Sequence, residues 1–193
     1  TLANLRALIT LDPPRAVAML DRLNSYLRVT LAGSRALSHP LAAEFDRLGD
    51  YLELMSVRMG ERLSYALELP EALRDAPVPP LLLQPLVENA IRHGLEPKVE
   101  GGCVTVRASR RPGGPAGANP PGELLVIEVS DTGVGLSPAG SAPGAPEAGR
   151  GFGLAQVRER LAGLYGDRGA IELTACSAGG TCATVSFPLG ARA

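Results

Sequence analysis

The chain has 193 residues, of which 45% are hydrophobic and 4% aromatic, and its 19 basic residues balance 20 acidic ones. This length predicts one domain of ordinary size with a smaller attachment and an aliphatic core. The formal net charge of -1 gives no electrostatic reason to expect binding to nucleic acid or to an anionic membrane. We interpret Cys103, Cys176 and Cys182 as reduced core thiols, because they fall in strand-like segments without metal-ligand spacing.

Residues 1–40 predict two helices joined by a short turn. Leucines recur with helical spacing on both sides of an Asp-Pro-Pro break at residues 12–14, so a helical hairpin is expected, followed by a loop over Gly33–Pro40. The sequence shows no membrane-spanning run and no signal peptide. Because it lacks an initiating Met and opens within an amphipathic pattern, we interpret it as a soluble part of a longer protein.

Residues 41–193 mix helical and strand patterns and predict a second, larger domain. The expected helices and strands are Leu41–Met59, Arg62–Leu69, Val104–Ser109, Leu124–Ser130, Leu154–Tyr165, Ile171–Ala175 and Cys182–Phe187. We expect Pro70–Pro80 to be extended, and Pro112–Gly122 and Ser137–Ala148 to be exposed loops. Helices between strands and a final run of strands favour an α+β two-layer sandwich over a regular doubly wound sheet.

The stretch Leu81–Gly94 predicts an amphipathic helix. Its apolar side comprises Leu83, Val87, Ala90 and Ile91, and its polar side comprises Glu88, Asn89, Arg92 and His93. Pro85 would remove a backbone donor and bend the helix if the helix begins at Pro80, but fits the first turn if regular helix begins near Leu83. Gly94 is typical of a helix end. The polar strip could hold a metal and a polyanion, although an ordinary surface helix also carries such a strip.

Two glycine motifs follow this helix. In Asp131-Thr132-Gly133-Val134-Gly135, a carboxylate at a strand end could accept a hydrogen bond from a purine amine, and the glycines allow a ring to approach closely. Glycines at 149, 151 and 153 lead into a helix, so free backbone amides could bind phosphates. Alone, the first motif is more typical of a strand-ending turn than of a ligand site, and the second is equally typical of a glycine-rich loop without a ligand.

The order of these three motifs resembles the ATP-binding domain of the gyrase, heat-shock-protein-90, histidine-kinase and MutL superfamily, the Bergerat fold. The wording is most similar to LytS-like sensor histidine kinases: LQPLVENAIRHG, DTGVGL, GFGLAQVRERLAGLYG and the late GGT. Upstream, MLDRLNSYLRVTL resembles their second dimerisation helix. The resemblance divides the chain into a remnant of the dimerisation and phosphoacceptor hairpin (1–40) and an ATP-binding catalytic domain (41–193).

The resemblance implies ATP and Mg²⁺ as cofactors. It implies that Asn89 ligates Mg²⁺, that Arg92 contacts the triphosphate and that His93 flanks the nucleotide. The implied adenine pocket comprises Asp131, Gly133, Gly135 and Thr181, and the implied phosphate cradle comprises Gly151, Gly153 and Leu154. Residues 137–150 would form a lid over the nucleotide.

The resemblance also implies phosphoryl transfer from Mg·ATP to a histidine, with relay to an aspartate of a response-regulator receiver domain. In the family the acceptor histidine lies just before the segment that matches Thr1, so this sequence is expected to lack it. His39 matches no acceptor motif and is interpreted as a solvated loop residue. The resemblance implies that the full-length protein is a homodimeric, membrane-anchored bacterial sensor, with these residues in its cytoplasmic portion.

One departure separates this chain from hydrolytic relatives of the same fold. Where those proteins carry a glutamate that activates water, one turn before the metal-binding asparagine, this sequence has Pro85. Glu88 is left as a weak candidate for orienting metal or water. Transfer is therefore favoured over hydrolysis, while a hydrolytic ATPase and a non-catalytic nucleotide-binding module stay open as alternatives.

Overall fold

The computed structural model describes residues 38–113, 122–136, 151–176 and 179–190, together with five separate helical positions near the N-terminus. The predicted helical hairpin lies almost wholly outside these residues, as do residues 114–121 and the predicted lid at 137–150. Within the described residues, no helix combines the length and the apolar character needed to cross a bilayer.

The described residues form seven strands. These are β1 (His39–Pro40), β2 (Leu63–Glu68), β3 (Pro77–Val78), β4 (Gly102–Gly113), β5 (Gly122–Asp131), β6 (Ala170–Ala175) and β7 (Thr181–Pro188). Five of them make one mixed sheet in the order β2-β4-β5-β7-β6, with only β2 and β4 parallel. β1 and β3 pair separately as a short antiparallel ladder. The sheet confirms the predicted β4–β5 pairing and the predicted C-terminal hairpin.

Three helices pack on one face of the five-stranded sheet. They are α1 (Leu41–Met59), α2 (Gln84–Asn89), which continues as a π-helical turn over Ala90–Leu95, and α3 (Gly151–Tyr165). The bounds of α1 are those predicted, and α3 begins three residues earlier than predicted. One sheet and one helical layer confirm the predicted α+β sandwich.

The core lies between these two layers, as the alternating strand pattern requires. Val104 and Val106 of β4 point into it together with Val185 of β7, and Phe187 stacks on Tyr165 of α3 with ring centroids 4.7 Å apart. The opposite face of the sheet is polar. Charged pairs there, Arg107 with Glu68 and Arg111 with Glu128, lie on the surface of the sheet.

The same alternation corrects the interpretation of the cysteines as core residues. All three are free thiols, as predicted, but they are only half-buried. Because Val104 points inward from β4, its neighbour Cys103 points to the polar face, and Cys182 precedes buried Ala183 in the same way. Burial raises the pKa of the Cys176 thiol, and the neighbouring Cys182 adds to that shift.

Two connecting segments also differ from the prediction. Pro70–Pro80 is not simply extended, since it contains a single 3₁₀ turn and strand β3. The predicted loop Gly33–Pro40 ends in β1, whose pairing with β3 places Ala76 where its carbonyl accepts the first amide of α1, from Leu41, at 2.9 Å. Pairing between segments nearly forty residues apart overrides their local turn composition.

Candidate functional site

Helix α2 and its π turn form the floor of the candidate site. The predicted apolar residues Leu83, Val87, Ala90 and Ile91 are all buried, while Glu88 and Arg92 are exposed and Asn89 and His93 half-buried. Pro85 lies in the first turn, where its missing N–H costs no helical hydrogen bond. Gly94 does not end the helix as predicted, because the π turn continues to Leu95. Single π turns are frequent at functional sites.

The C-terminal end of this floor meets the Asp-x-Gly-x-Gly segment. A Cβ on Gly94 would lie 2.6 Å from Asp131 Oδ1, so the backbone there lies directly against the carboxylate. A Cβ on Gly133 would lie 2.2 Å from the carbonyl carbon of Gly94. The Val134 N–H donates to the Gly94 carbonyl at 3.0 Å. Only glycine fits at 94 and 133 in this arrangement.

Asp131 is a buried carboxylate at the end of β5, with 4% of its surface exposed. Its Oδ1 accepts the Gly133 N–H at 2.8 Å, and its side chain also accepts the backbone N–H of Thr181. Burial raises the pKa of Asp131, although these two hydrogen bonds and the nearby Lys98 ammonium oppose that shift. The carboxylate is thus oriented by the loop that follows β5 and by the start of β7 before any ligand binds.

The C-terminal hairpin closes this end of the site. A Cβ on Gly180 would lie 1.9 Å from the carbonyl oxygen of Asp131, and Gly180 has a φ of +85°. Gly135, with a φ of +76°, lies beside the same hairpin, its Cβ position 3.5 Å from the Gly180 carbonyl oxygen. Thr181 begins β7 immediately after this contact.

The N-terminal end of the floor meets helix α3. A Cβ on Gly153, in the first turn of α3, would lie 3.3 Å from Pro85 Cβ. Leu154 is buried at the next position. Asn89 lies one helical turn after Pro85 on the same stripe of α2, and roughly 13 Å of helix separates Pro85 from Gly94. The Asp131 segment and the glycine-rich start of α3 therefore contact opposite ends of the predicted amphipathic helix.

The donor set suits a cation bound mainly by a ligand. The described residues contain no cluster of three or more His, Cys, Asp or Glu that could hold a metal. Mg²⁺ commonly keeps water and phosphate oxygens and takes only one or two protein ligands, a requirement that the amide oxygen of Asn89 meets. Asn89 is half-buried on α2 and therefore accessible.

Comparison with known families identifies the fold. The profile of the histidine kinase-, DNA gyrase B- and HSP90-like ATPase family matches residues 77–191. The chain belongs to this ATPase family. A histidine kinase family profile matches residues 1–63, so both parts of the sequence resemblance are confirmed. The match to this ATPase family spans α2, the Asp131 segment and α3, which is the part of the chain that builds the site.

Relatives within the ATPase family include sensor kinases. The sensor protein LytS of Bacillus subtilis is 29% identical over 188 residues, which is 95% of this chain and 30% of that protein. The sensor histidine kinase/phosphatase LytS of Staphylococcus aureus is 29% identical over 180 residues, 91% of this chain and 29% of that protein. The chain therefore spans about a third of the length of these relatives.

A solved structure shows the same fold. The histidine kinase domain of the blue-light activated histidine kinase from Erythrobacter litoralis EL346 matches with a TM-score of 0.55 and 20% identity, covering 90% of this chain and 74% of that one.

Sequence reasoning did not detect Gly94 and Lys98 as parts of the Asp131 environment. Glycine at a helix end resembles an ordinary stop, and a lone lysine on a loop carries no signal.

Proposed function

We propose that this chain is the ATP-binding catalytic portion of a sensor histidine kinase. The nucleotide lies along α2, with adenine at the Asp131 end and phosphates at the Gly153 end. The observation that carries the proposal is that α2 contacts the carboxylate loop through Gly94 and the first turn of α3 through Pro85. Two distant glycine motifs that suit a purine and a polyphosphate thus share one floor.

At the adenine end, Asp131 accepts a hydrogen bond from the exocyclic amine. Gly133 and Gly135 shape the wall without side chains, and Thr181 joins the hydrogen bonding around the base. The amides of Gly133 and Thr181 that already hold Asp131 support this role, because they fix the carboxylate in a defined orientation. A hydrogen bond to a preoriented charged acceptor is stronger than one to a neutral acceptor.

At the phosphate end, the N-terminal turn of α3 supplies backbone amides and the positive end of a helix dipole. Gly151 and Gly153 lie in this first turn, Gly153 packs closely on Pro85, and Leu154 anchors the helix in the core. Asn89 would hold Mg²⁺, which would supply neutralisation of the phosphate charge. Arg92 contacts the triphosphate and His93 flanks the nucleotide, from the turn that follows Asn89.

Transfer to a protein side chain is favoured over hydrolysis. Pro85 packs on Gly153 and has no group that accepts a proton, so no general base stands at this point of α2. Glu88, which lies about 100° round the helix from Asn89, is the weaker candidate for orienting water or metal. Catalysis by this domain consists of positioning ATP and neutralising charge as the γ-phosphoryl group passes to a histidine nitrogen and ADP leaves.

The proposed partners follow from the kinase assignment. The full-length protein is a membrane-anchored homodimer whose cytoplasmic portion includes this chain. The phosphorylated histidine passes its phosphoryl group to an aspartate of a response-regulator receiver domain. Exposed apolar side chains on the N-terminal helical positions, Ile9, Val17 and Leu20, support a partner helix there.

The adenine role is tested by titrating Mg·ATP against wild type and the Asp131→Asn variant. Loss of one charged hydrogen bond is expected to weaken binding about 10- to 100-fold. Glu128→Gln is the matched control, because Glu128 is on the same strand but pairs with Arg111 on the polar face. Equal affinities of wild type and Asp131→Asn would remove the adenine role.

Phosphoryl transfer needs a separate test. The full-length protein, incubated with γ-labelled Mg·ATP, is expected to retain label that is acid-labile and alkali-stable, as a phosphohistidine is. Steady-state release of phosphate with no protein-bound label would instead indicate a hydrolytic ATPase. Nucleotide binding with neither label nor release would indicate a non-catalytic module.

A further inference from the structure

A buried glutamate of α1 holds the backbone that leads into α2. Glu44 has 2% of its surface exposed, and its two carboxylate oxygens accept backbone hydrogen bonds from residues 37 and 39 positions further along the chain. Oε1 accepts the Leu81 N–H at 2.8 Å, and Oε2 accepts the Leu83 N–H at 3.1 Å. Leu83 is also the residue whose carbonyl accepts the first helical hydrogen bonds of α2, from Leu86 and Val87.

Two further side chains support this carboxylate. His39 Nε2 lies 2.9 Å from Glu44 Oε1, and Arg47 NH1 lies 3.6 Å from the same oxygen. Arg47 NH2 lies 3.1 Å from His39 Nδ1. Donation from Arg47 NH2 to Nδ1 leaves Nε2 facing Glu44 Oε1 as a close polar contact, without the alignment of a regular hydrogen bond. The predicted solvated loop position for His39 is therefore wrong, since its side chain is 13% exposed.

These contacts favour the ionised carboxylate. Burial raises the pKa of Glu44, but the polar contact with His39 and the hydrogen bonds from Leu83 and Leu81 outweigh burial and leave the pKa below its usual value. Moving such a buried carboxylate away from its hydrogen-bond donors would destabilise the fold, because the charge would lose a donor that water cannot replace. The turn at Leu81–Leu83 is therefore tied to a buried carboxylate of α1.

The turn itself is strained. Leu81 has a φ of +59°, the one non-glycine residue with positive φ in the part of the chain that the structure describes. A bulky side chain rarely adopts this conformation, and it persists only where surrounding contacts enforce it. The hydrogen bond from its own N–H to Glu44 is such a contact.

We propose that Glu44 is a positioning residue of the nucleotide site, an inference that rests on the proposed ATP-binding function. By holding the amides of Leu81 and Leu83, it sets where α2 begins and thereby where Pro85 meets Gly153 and where Asn89 faces the phosphates. The chain reaches Glu44 through β1 and the first turn of α1, so the segment that enters the domain is hydrogen-bonded to the turn that precedes α2.

The test compares Glu44→Gln with the double variant Glu44→Gln/Leu81→Gly. Glutamine has the same size as glutamate but replaces one acceptor oxygen with an NH₂ group. This group is a donor and cannot accept the backbone N–H that it would face. Glycine at position 81 adopts positive φ without strain, so the turn no longer needs the carboxylate to enforce its conformation. We expect Glu44→Gln to weaken Mg·ATP binding about tenfold and the double variant to recover most of that loss.

Two controls separate positioning from general destabilisation. Val185→Ala lowers stability from the opposite layer of the core, and Glu68→Gln removes an exposed acid. At a temperature where all variants are folded, both are expected to bind Mg·ATP as wild type does. An equal loss in Val185→Ala, or no recovery in the double variant, would overturn the positioning role.

A readout without nucleotide keeps the inference distinct from the proposed function. In Glu44→Gln, the NMR resonances of the Leu81 and Leu83 amides and of the Asn89 side-chain NH₂ group should shift. In the double variant Glu44→Gln/Leu81→Gly, the Asn89 resonance should return toward its wild-type position. An unshifted Asn89 resonance overturns the inference even if wild type binds ATP. Failure of wild type to bind Mg·ATP, with these shifts intact, overturns the proposed function instead.

Discussion

Gly94 shows how one missing side chain places two others. Its Cα lies against the Asp131 carboxylate, and a Cβ there would be 2.8 Å from Asp131 Cγ as well as 2.6 Å from Oδ1. The Asp131 side chain is held in place by the amides of Gly133 and Thr181, so it cannot move aside to make room for an added methyl group at Gly94. We infer that Gly94 is required for the site, although the sequence alone presents it as a helix end.

Gly94→Ala is therefore expected to destabilise the fold by about 1–3 kcal/mol, as overpacking does, and to weaken ATP binding. Gly163→Ala is the matched control, because no atom lies within 4 Å of a Cβ at that position of α3. Alanine there should stabilise the protein by about 0.5–1 kcal/mol. Thermal unfolding of both variants checks this, and equal melting temperatures would contradict the assigned contact.

Glu44 should give stability a defined pH dependence. Its folded pKa is lowered, so the stability it contributes is fully present above the unfolded pKa, about 4.3, and is lost as pH falls through the lower folded pKa. We expect the difference in free energy of unfolding between wild type and Glu44→Gln to be constant from neutral pH to about pH 5 and to narrow on further acidification. Urea unfolding at a series of pH values measures it.

The Asp131 carboxyl changes the free energy of unfolding with pH in the opposite sense to Glu44, because its pKa is raised, mainly by burial. That contribution is present in both proteins and cancels in the difference. A difference that stays constant to pH 3, or widens on acidification, would show that the Glu44 carboxylate is not held as described.

At the scale of elements, the contact between α2 and α3 joins the stripe proposed to hold Mg²⁺ to the turn proposed to bind the phosphates. It depends on a small residue at position 153, whose Cβ would be 3.3 Å from Pro85 Cβ. A larger side chain would push the first turn of α3 away from α2. The proposed adenine end, where Gly94 and Gly180 pack against Asp131, would stay intact.

Gly153→Val is thus expected to weaken Mg·ATP binding about tenfold while leaving adenosine binding unchanged. The comparison is made by titration with both ligands, and Gly163→Val on the same helix serves as control. Equal losses for ATP and adenosine would place the effect outside the phosphate end. No loss for either would mean that Gly153 does not line the site.

Local sequence pattern predicted most elements because they follow the apolar period. The inward positions of α1, including Phe45, Leu48 and Leu52, are buried as predicted, and so is the apolar side of α2. The pattern could not predict the role of Glu44. A charged residue on an amphipathic helix resembles a solvated one, and its partners lie 37 and 39 residues away.

For the whole molecule, the two-layer fold brings the end of β5, the start of β7 and the start of α3 to one helix. The family match and the fold match agree with this architecture. The individual nucleotide contacts remain predictions, since they depend on how a ligand lies along α2. The domain boundary after residue 40 also remains a prediction.

The central claim is that one nucleotide occupies one cleft along α2. The most direct measurement is an NMR titration of the isotopically labelled protein with Mg·ATP, following the amides of Asn89, Gly133 and Gly153 together. We predict that all three shift along a single binding curve with one Kd. Shifts at only one of them, or separate curves for the Gly133 and Gly153 ends, would contradict the account.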